Sequence, residues 1–241
     1  MPGFVASSTE RYSGDAEFQF QVDASDAAAV ALIENRVQTF LKALDAGFFF
    51  PGVRRGSSVA WADHGPGLIA ARLAVDDLPR TAVDVLSGLL LDCVYNEVFS
   101  IRTARAILRN ETRDLLLETG RRPAAVARPP FAVELPQDVD LGNNTLLVEI
   151  EFADVVPPDV GERLLEELAL IEGLWLAYPV VADDEDIEPV ESLGAQRHFN
   201  DPRTIHHHEW AWDADRTAWN LLVNLCCAWH RTVPVARLHI E

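Results

Sequence analysis

The chain has 241 residues, of which 49% are hydrophobic and 24% are charged, and its formal net charge is −18. This length and composition are typical of a globular protein with one large domain or two small ones. The negative charge argues against nucleic-acid binding, which needs a basic surface, and it favours a basic protein as the macromolecular partner.

The sequence predicts a cytoplasmic protein. The longest apolar runs, such as residues 85–91, are far shorter than the about 20 residues of a membrane-spanning helix. Residues 1–4 lack the basic and apolar regions of a signal peptide. Three cysteines, two of them adjacent, suit reduced thiols. Lys42 is the only lysine, and this arginine bias indicates a bacterium with a GC-rich genome.

The first half of the chain predicts alternating strands and helices. Phe18 and Phe20 alternate with glutamines, which is the period of a strand buried on one face. Pro79 suits the first turn of a helix. In chain order we predict a strand over 18–22, a helix over 30–47, strands over 57–62 and 68–75, a helix over 79–94 and a strand over 98–103.

The second half repeats this order. Arg80 and Arg216 each open an Arg-Thr-Ala segment that follows acidic residues and precedes a leucine-rich helix, which indicates an internal duplication. In chain order we predict a strand over 146–152, a helix over 157–173, a strand over 174–181, an acidic and histidine-rich insertion over 182–207, and then strand, helix and strand to the end.

This order resembles the ferredoxin-like βαββαβ unit. The resemblance implies an α+β protein with two tandem units and antiparallel sheets, over 16–105 and 144–241. Residues 106–143 would connect them, with helical spacing over 106–118 and a proline-rich linker over 121–136. Because this fold hosts many unrelated functions, the resemblance implies no activity.

The uncovered face of the second sheet carries the candidate catalytic residues. In the usual strand order 4-1-3-2, the first strand lies antiparallel to the fourth. Glu149 and Glu151 would then neighbour Arg237 and His239, opposite the helices. Such a cluster can perform acid–base chemistry or hold a polar ligand, and cross-strand ion pairing explains it as well.

Three further residues are candidate ligand contacts. Arg102, with Ser100, would neighbour the glutamines of the first strand on the open face of the first unit. Trp210 and Trp212 share one face of a strand. If that face is the open one, the two rings need a cover, which could be a ligand, the other unit or a second copy of the chain. If the register differs by one residue, they belong to the core.

The histidine-rich insertion raises the question of a metal. Imidazole and carboxylate groups together can bind divalent ions. On a strand, however, only His206 and His208 of the three consecutive histidines share a face, and no established metal-binding spacing is present. We therefore predict no cofactor and no metal, and His206 and His208 are the candidate ligands of the alternative in which a metal binds. The front of the insertion, 182–191, should be mobile, whereas its back half should be ordered and folded over the sheet of the second unit or the groove between the units.

Two functional hypotheses follow. The first is a non-catalytic binding protein that neutralises a basic protein partner, as toxin-immunity proteins do, although no motif links this chain to them. The second is an enzyme acting on a small polar substrate at the open face or in the groove between the units. In that case Glu149 or Glu151 would be the general base, Arg237 the anion clamp and His239 the acid or base.

Overall fold

The computed structural model describes residues 11–12, 16–22, 27–49, 58–63, 68–74, 78–95, 101–108, 111–114, 129–135, 145–175, 194–210 and 219–241. The helices are α1 (Ala27–Ala46), α2 (Arg80–Tyr95), α3 (Pro158–Trp175) and α4 (Trp219–Trp229). The strands are β1 (Arg11–Tyr12), β2 (Ala16–Val22), β3 (Ser58–Asp63), β4 (Leu68–Ala74), β5 (Leu78–Pro79), β6 (Ile101–Leu108), β7 (Glu111–Asp114), β8 (Ala132–Glu134), β9 (Thr145–Phe152), β10 (Gly194–Asp201), β11 (Thr204–Trp210) and β12 (Val235–Ile240).

Two five-stranded sheets organise the chain, which confirms the α+β class. Their strand orders are β3-β4-β2-β6-β7 and β10-β11-β9-β12-β8. If the edge strands β7 and β8 are left out, the strands can be counted within each half in chain order. Both sheets then have the order second, third, first, fourth, so the first strand lies beside the fourth as predicted. A separate short ladder pairs β1 with β5.

The second sheet forms where the sequence alternates. Along β9, four apolar residues are buried and the residues between them are partly exposed, so one face packs on the core. Helix α3 begins at Pro158, with Asp159 in its first turn, where a proline and a negative charge are both favourable. Its stripe of Leu164, Leu168 and Ile171 is buried.

Helix α4 is buried on nearly all sides. Ten of its eleven residues are buried, and the Trp229 ring lies 6.2 Å from the Phe152 ring of β9. A helix that is apolar all round must be covered on more than one side. No helix in the described part of the chain is both long and apolar enough to cross a membrane.

Helices α1 and α3 join the two halves. A Cβ atom added at Gly173 of α3 would lie 3.0 Å from Thr39 Cγ2 of α1. Phe40 of α1 and Leu168 of α3 belong to the same buried core. The halves therefore share one hydrophobic core, and glycine at position 173 permits the close approach.

The predicted connection between the halves differs from the structure in two places. The helical spacing over 106–118 was misleading, because β6 continues to Leu108 and pairs with β7 over Glu111–Asp114. Ala106 is buried between the more exposed Arg105 and Ile107, which is the period of a strand. The linker prediction over 121–136 missed β8, which pairs in parallel with β12. The second sheet is therefore mixed and not wholly antiparallel.

The predicted strand over 174–181 was wrong at its start, because α3 continues through the buried Trp175. Residues 176–193 lie outside the described residues, and with them the predicted mobile segment 182–191. Within the described residues, the strand that follows α3 is β10, which forms a hairpin with β11. Residues 194–207 of the insertion are ordered, as predicted, but the prediction that they fold over the sheet was wrong, because they form part of it.

Candidate functional site

The four candidate catalytic residues lie together on one face of the second sheet. Strands β9 and β12 are antiparallel, with Glu151 opposite Arg237 and Glu149 opposite His239. All four alternate with buried apolar residues, so they point away from the helices. The strand order predicted this neighbourhood correctly.

Arg237 is the centre of an ion-pair network. Its Nη2 donates a hydrogen bond to Glu149 Oε1 at 2.5 Å. Its Nε lies 3.4 Å from Glu151 Oε2, and its Nη1 lies 3.3 Å from Glu134 Oε2 of β8. Burial lowers the pKa of Arg237, but these three carboxylates outweigh burial and raise it. The guanidinium is thus a permanent positive charge held by three glutamates.

Two histidines extend this network across the sheet. His239 Nε2 lies 2.7 Å from Glu241 Oε1, and its Nδ1 lies 3.0 Å from Glu134 Oε2, without hydrogen-bond alignment. On the other side, His206 Nε2 lies 3.2 Å from Glu149 Oε2. The His206 ring is 5.9 Å from the His198 ring of β10. The network therefore reaches all five strands.

We call this set the open-face cluster. It comprises Glu134, Glu149, Glu151, His198, His206, His208, Arg237, His239 and Glu241. The side chains of its ion pairs keep 28–63% of their surface exposed. The cluster contains four carboxylates and one guanidinium, so it has an excess of three negative charges when its histidines are neutral. The ion pairs bind these groups to one another, and the surplus charge faces outward.

A different polar group lies on the helix-facing side of the same sheet. His207 and Glu209 of β11 are fully buried. Glu209 Oε2 accepts a 2.6 Å hydrogen bond from Trp175 Nε1, and His207 Nε2 lies 3.4 Å from the same oxygen. Among the described residues, Glu209 Oε1 and His207 Nδ1 have no hydrogen-bond partner. Sequence reasoning missed this group, although the core face of β11 that carries Ile205 continues through both residues.

Arg197 of β10 borders this buried group. It lies opposite His207 and forms an ion pair with Glu172 of α3. Burial lowers the pKa of Arg197, while nearby Glu209 acts in the opposite direction. The arginine therefore links the partly exposed rim of the sheet to the buried carboxylate.

The remaining candidates are distributed along the strands. His206 and His208 share the open face, as alternation predicts. Within the described residues, no group of three or more His, Cys, Asp or Glu side chains is arranged to hold a metal ion. Trp210 ends β11 opposite Thr145, and Trp212 lies outside the described residues.

The predicted neighbours in the first sheet were wrong by three positions. Arg102 lies in β6, but the β6 residues opposite Gln19 and Gln21 are Arg105 and Thr103. The displacement follows from the length of β6, which runs five residues beyond its predicted end. A role for Arg102 in ligand binding stays a prediction.

The adjacent thiols of α4 are buried. Burial raises the pKa of Cys227 to about 11, against a smaller opposing effect of Arg231. Burial, with the neighbouring Cys227 adding to it, raises the pKa of the Cys226 thiol well above its usual range. Because the thiolate is the reactive form, neither residue is placed to act as a nucleophile.

Comparison with known proteins identifies no family. No family model matches the chain, and no curated protein is significantly similar to it. Among solved structures, a Cas6 protein of Thermus thermophilus aligns with 97% of this chain and 100% of its own, at 12% identity and a TM-score of 0.17. A TM-score this low carries no argument about fold or function.

Proposed function

We propose that the protein is a non-catalytic binding protein whose open-face cluster binds a basic protein. The observation that carries this proposal is the excess of carboxylates on one partly exposed sheet face: Glu134, Glu149, Glu151 and Glu241 against Arg237. Complementary charge speeds the encounter with a basic surface and orients it.

The same geometry favours binding over catalysis. A general base needs a carboxylate or imidazole that is free to reach a substrate proton. Glu149 contacts both Arg237 and His206, and His239 lies between Glu134 and Glu241. Since these groups are engaged with one another, they form a charged surface more readily than a reaction centre.

We further propose that the two halves are tandem ferredoxin-like units, over 16–105 and 144–241, that arose by duplication. The identical order of the four principal strands in the two sheets supports this. A cytoplasmic location agrees with the free thiols of Cys226 and Cys227.

The binding test uses a nona-arginine peptide and two variants with equal charge. Glu134→Gln/Glu151→Gln removes two charges from the open-face cluster. Glu162→Gln/Glu166→Gln removes two from exposed positions of α3. At pH 7.5 we expect the first variant to bind the peptide about tenfold more weakly, and the second to bind nearly as well as the wild type.

Affinity capture with the same three proteins then identifies the natural partner. A basic protein retained by the wild type and by the α3 variant, but lost from the open-face variant, supports the proposal. Equal weakening of peptide binding by both variants would show that the charge of the whole chain attracts the peptide, and the proposed site would be wrong.

A further inference from the structure

We propose that the histidines of the open-face cluster form a pH switch that releases the basic partner on mild acidification. This inference rests on the proposed function and adds its regulation. The histidines concerned are His198, His206, His208 and His239. Imidazole is the side chain that ordinarily changes its charge between pH 5 and 8, whereas carboxylates stay ionised in that range.

Two of the four imidazoles, those of His206 and His239, are placed to compete with the partner for the same carboxylates. His206 lies 3.2 Å from Glu149, and His239 lies within 3.0 Å of Glu134 and 2.7 Å of Glu241. Protonation turns each of these contacts into an ion pair. A carboxylate that is neutralised by its own neighbour no longer attracts an arginine or lysine of the partner.

The surroundings of each histidine are defined by strand pairing. His239 faces Glu134 on β8 and Glu149 on β9, and shares β12 with Arg237 and Glu241. A basic group and three acidic groups thus surround it. The fixed charges around it therefore sum to two negative charges.

The other three histidines lie on the hairpin. His206 faces His198 on β10 and Glu149 on β9. His208 of the same strand lies opposite Gln196 and Leu147. The rings of His198 and His206 are 5.9 Å apart, so two imidazolium charges at this pair would repel each other.

Acidification changes the charge of the open-face cluster far more, in proportion, than it changes the charge of the whole chain. Four imidazolium charges would change the cluster from three negative charges in excess to one positive charge in excess, or to neutrality if one of the close pair stays uncharged. Protonation of all seven histidines of the chain changes its net charge only from −18 to −11. Acidification therefore removes the attraction of the open face while the chain remains strongly acidic.

The experiment measures nona-arginine binding at pH 7.5 and 5.5 to the wild type and to His198→Gln/His206→Gln/His208→Gln/His239→Gln. We expect the wild type to bind about tenfold more weakly at pH 5.5, and the variant to change by less than about twofold. An unchanged circular dichroism spectrum and urea midpoint confirm that the variant is folded, and the affinity of each protein at pH 5.5 is compared with its own affinity at pH 7.5.

The outcomes separate the two proposals. Absence of wild-type binding at pH 7.5 would overturn the proposed function and this inference together. Wild-type binding of equal strength at both pH values, or a variant with full pH dependence, would overturn this inference alone.

A second measurement needs no variant. By linkage, a partner that prefers the neutral imidazoles must shift their titration, followed by the imidazole proton signals in NMR spectra, to lower pH when it is bound. Titration that is unchanged by bound peptide would also overturn the switch.

Discussion

At the scale of single residues, Glu209 is a fully buried carboxylate, so its stability depends on hydrogen bonds from the protein. Its carboxylate receives the indole N–H of Trp175, a donor that solvent cannot replace at a buried site. Trp229 makes a similar 2.6 Å bond to Glu167, but that carboxylate is partly exposed and lies 3.8 Å from Arg163. The two tryptophans therefore differ mainly in their acceptors: Glu167 can be hydrated when its indole donor is removed, whereas the buried Glu209 cannot.

We therefore expect Trp175→Phe to lower the free energy of unfolding more than Trp229→Phe does, by about 1–2 kcal/mol, because the buried Glu209 Oε2 then keeps only its longer 3.4 Å contact with His207, whereas Glu167 is partly exposed. Both substitutions remove a similar volume from a fully buried site, so the cavity costs largely cancel. Urea unfolding of the two variants measures the difference. Equal losses would show that water reaches Glu209.

The thiols of α4 give a prediction about pH. Because Cys227 has a pKa of about 11, its alkylation by iodoacetamide in the native protein should keep accelerating well above pH 9, and Cys226 should react only after unfolding. Mass spectrometry of the labelled peptides distinguishes the residues. Rapid labelling of either thiol at pH 8 would contradict the burial of α4.

The same shift links these thiols to stability. Unfolded cysteines ionise near pH ~8.5, so as the pH rises the unfolded state loses its protons before the native state does. The contribution of the two thiols is therefore fully present below that pH and is lost as the pH rises toward 11. We expect the decrease in stability between pH 8 and 10 to be smaller in Cys226→Ala/Cys227→Ala than in the wild type, as measured by urea unfolding.

At the scale of elements, sequence reasoning succeeded where periodicity was clear. The alternation along β9 identified both the strand and its outward-facing Glu149 and Glu151. It failed where tertiary pairing determined the structure: the three residues of β8 carry little periodicity of their own, and they become a strand by pairing with β12. The buried Glu209 was missed for the same reason, since a carboxylate in a core position contradicts the hydrophobic pattern on which such predictions depend.

Strand β8 can be tested by proline substitution. Successive N–H groups of a strand point in opposite directions, and β8 is an edge strand with β12 on one side only. Of Ala132→Pro and Val133→Pro, one should therefore remove a hydrogen bond to β12 and the other should be tolerated. We expect only the variant that removes this hydrogen bond to speed amide hydrogen exchange in β12, by about tenfold. Equal effects from both prolines would contradict the pairing.

At the scale of the whole molecule, the contact between Thr39 and Gly173 joins the helices of the two halves. In Gly173→Ala, the gain in helix propensity of up to about 1 kcal/mol is opposed by the crowding of Thr39 Cγ2. In a Thr39→Ala background that methyl group is absent, so the same change should be more stabilising, by about 1 kcal/mol. A double-mutant cycle in urea measures this coupling, and strict additivity would show that residues 39 and 173 do not interact.

The position of β12 also has a consequence for synthesis. Among the strands of its sheet it is the last to leave the ribosome, yet it lies inside the sheet, between β9 and β8. Until residues 235–240 emerge, one edge of β9 is unpaired and β8 has no strand to join. The nascent chain must therefore keep an apolar strand edge exposed through the translation of α4, in a state that can pair with the same strand of a neighbouring copy. The excess negative charge of the chain, which makes such copies repel one another, protects it during that interval.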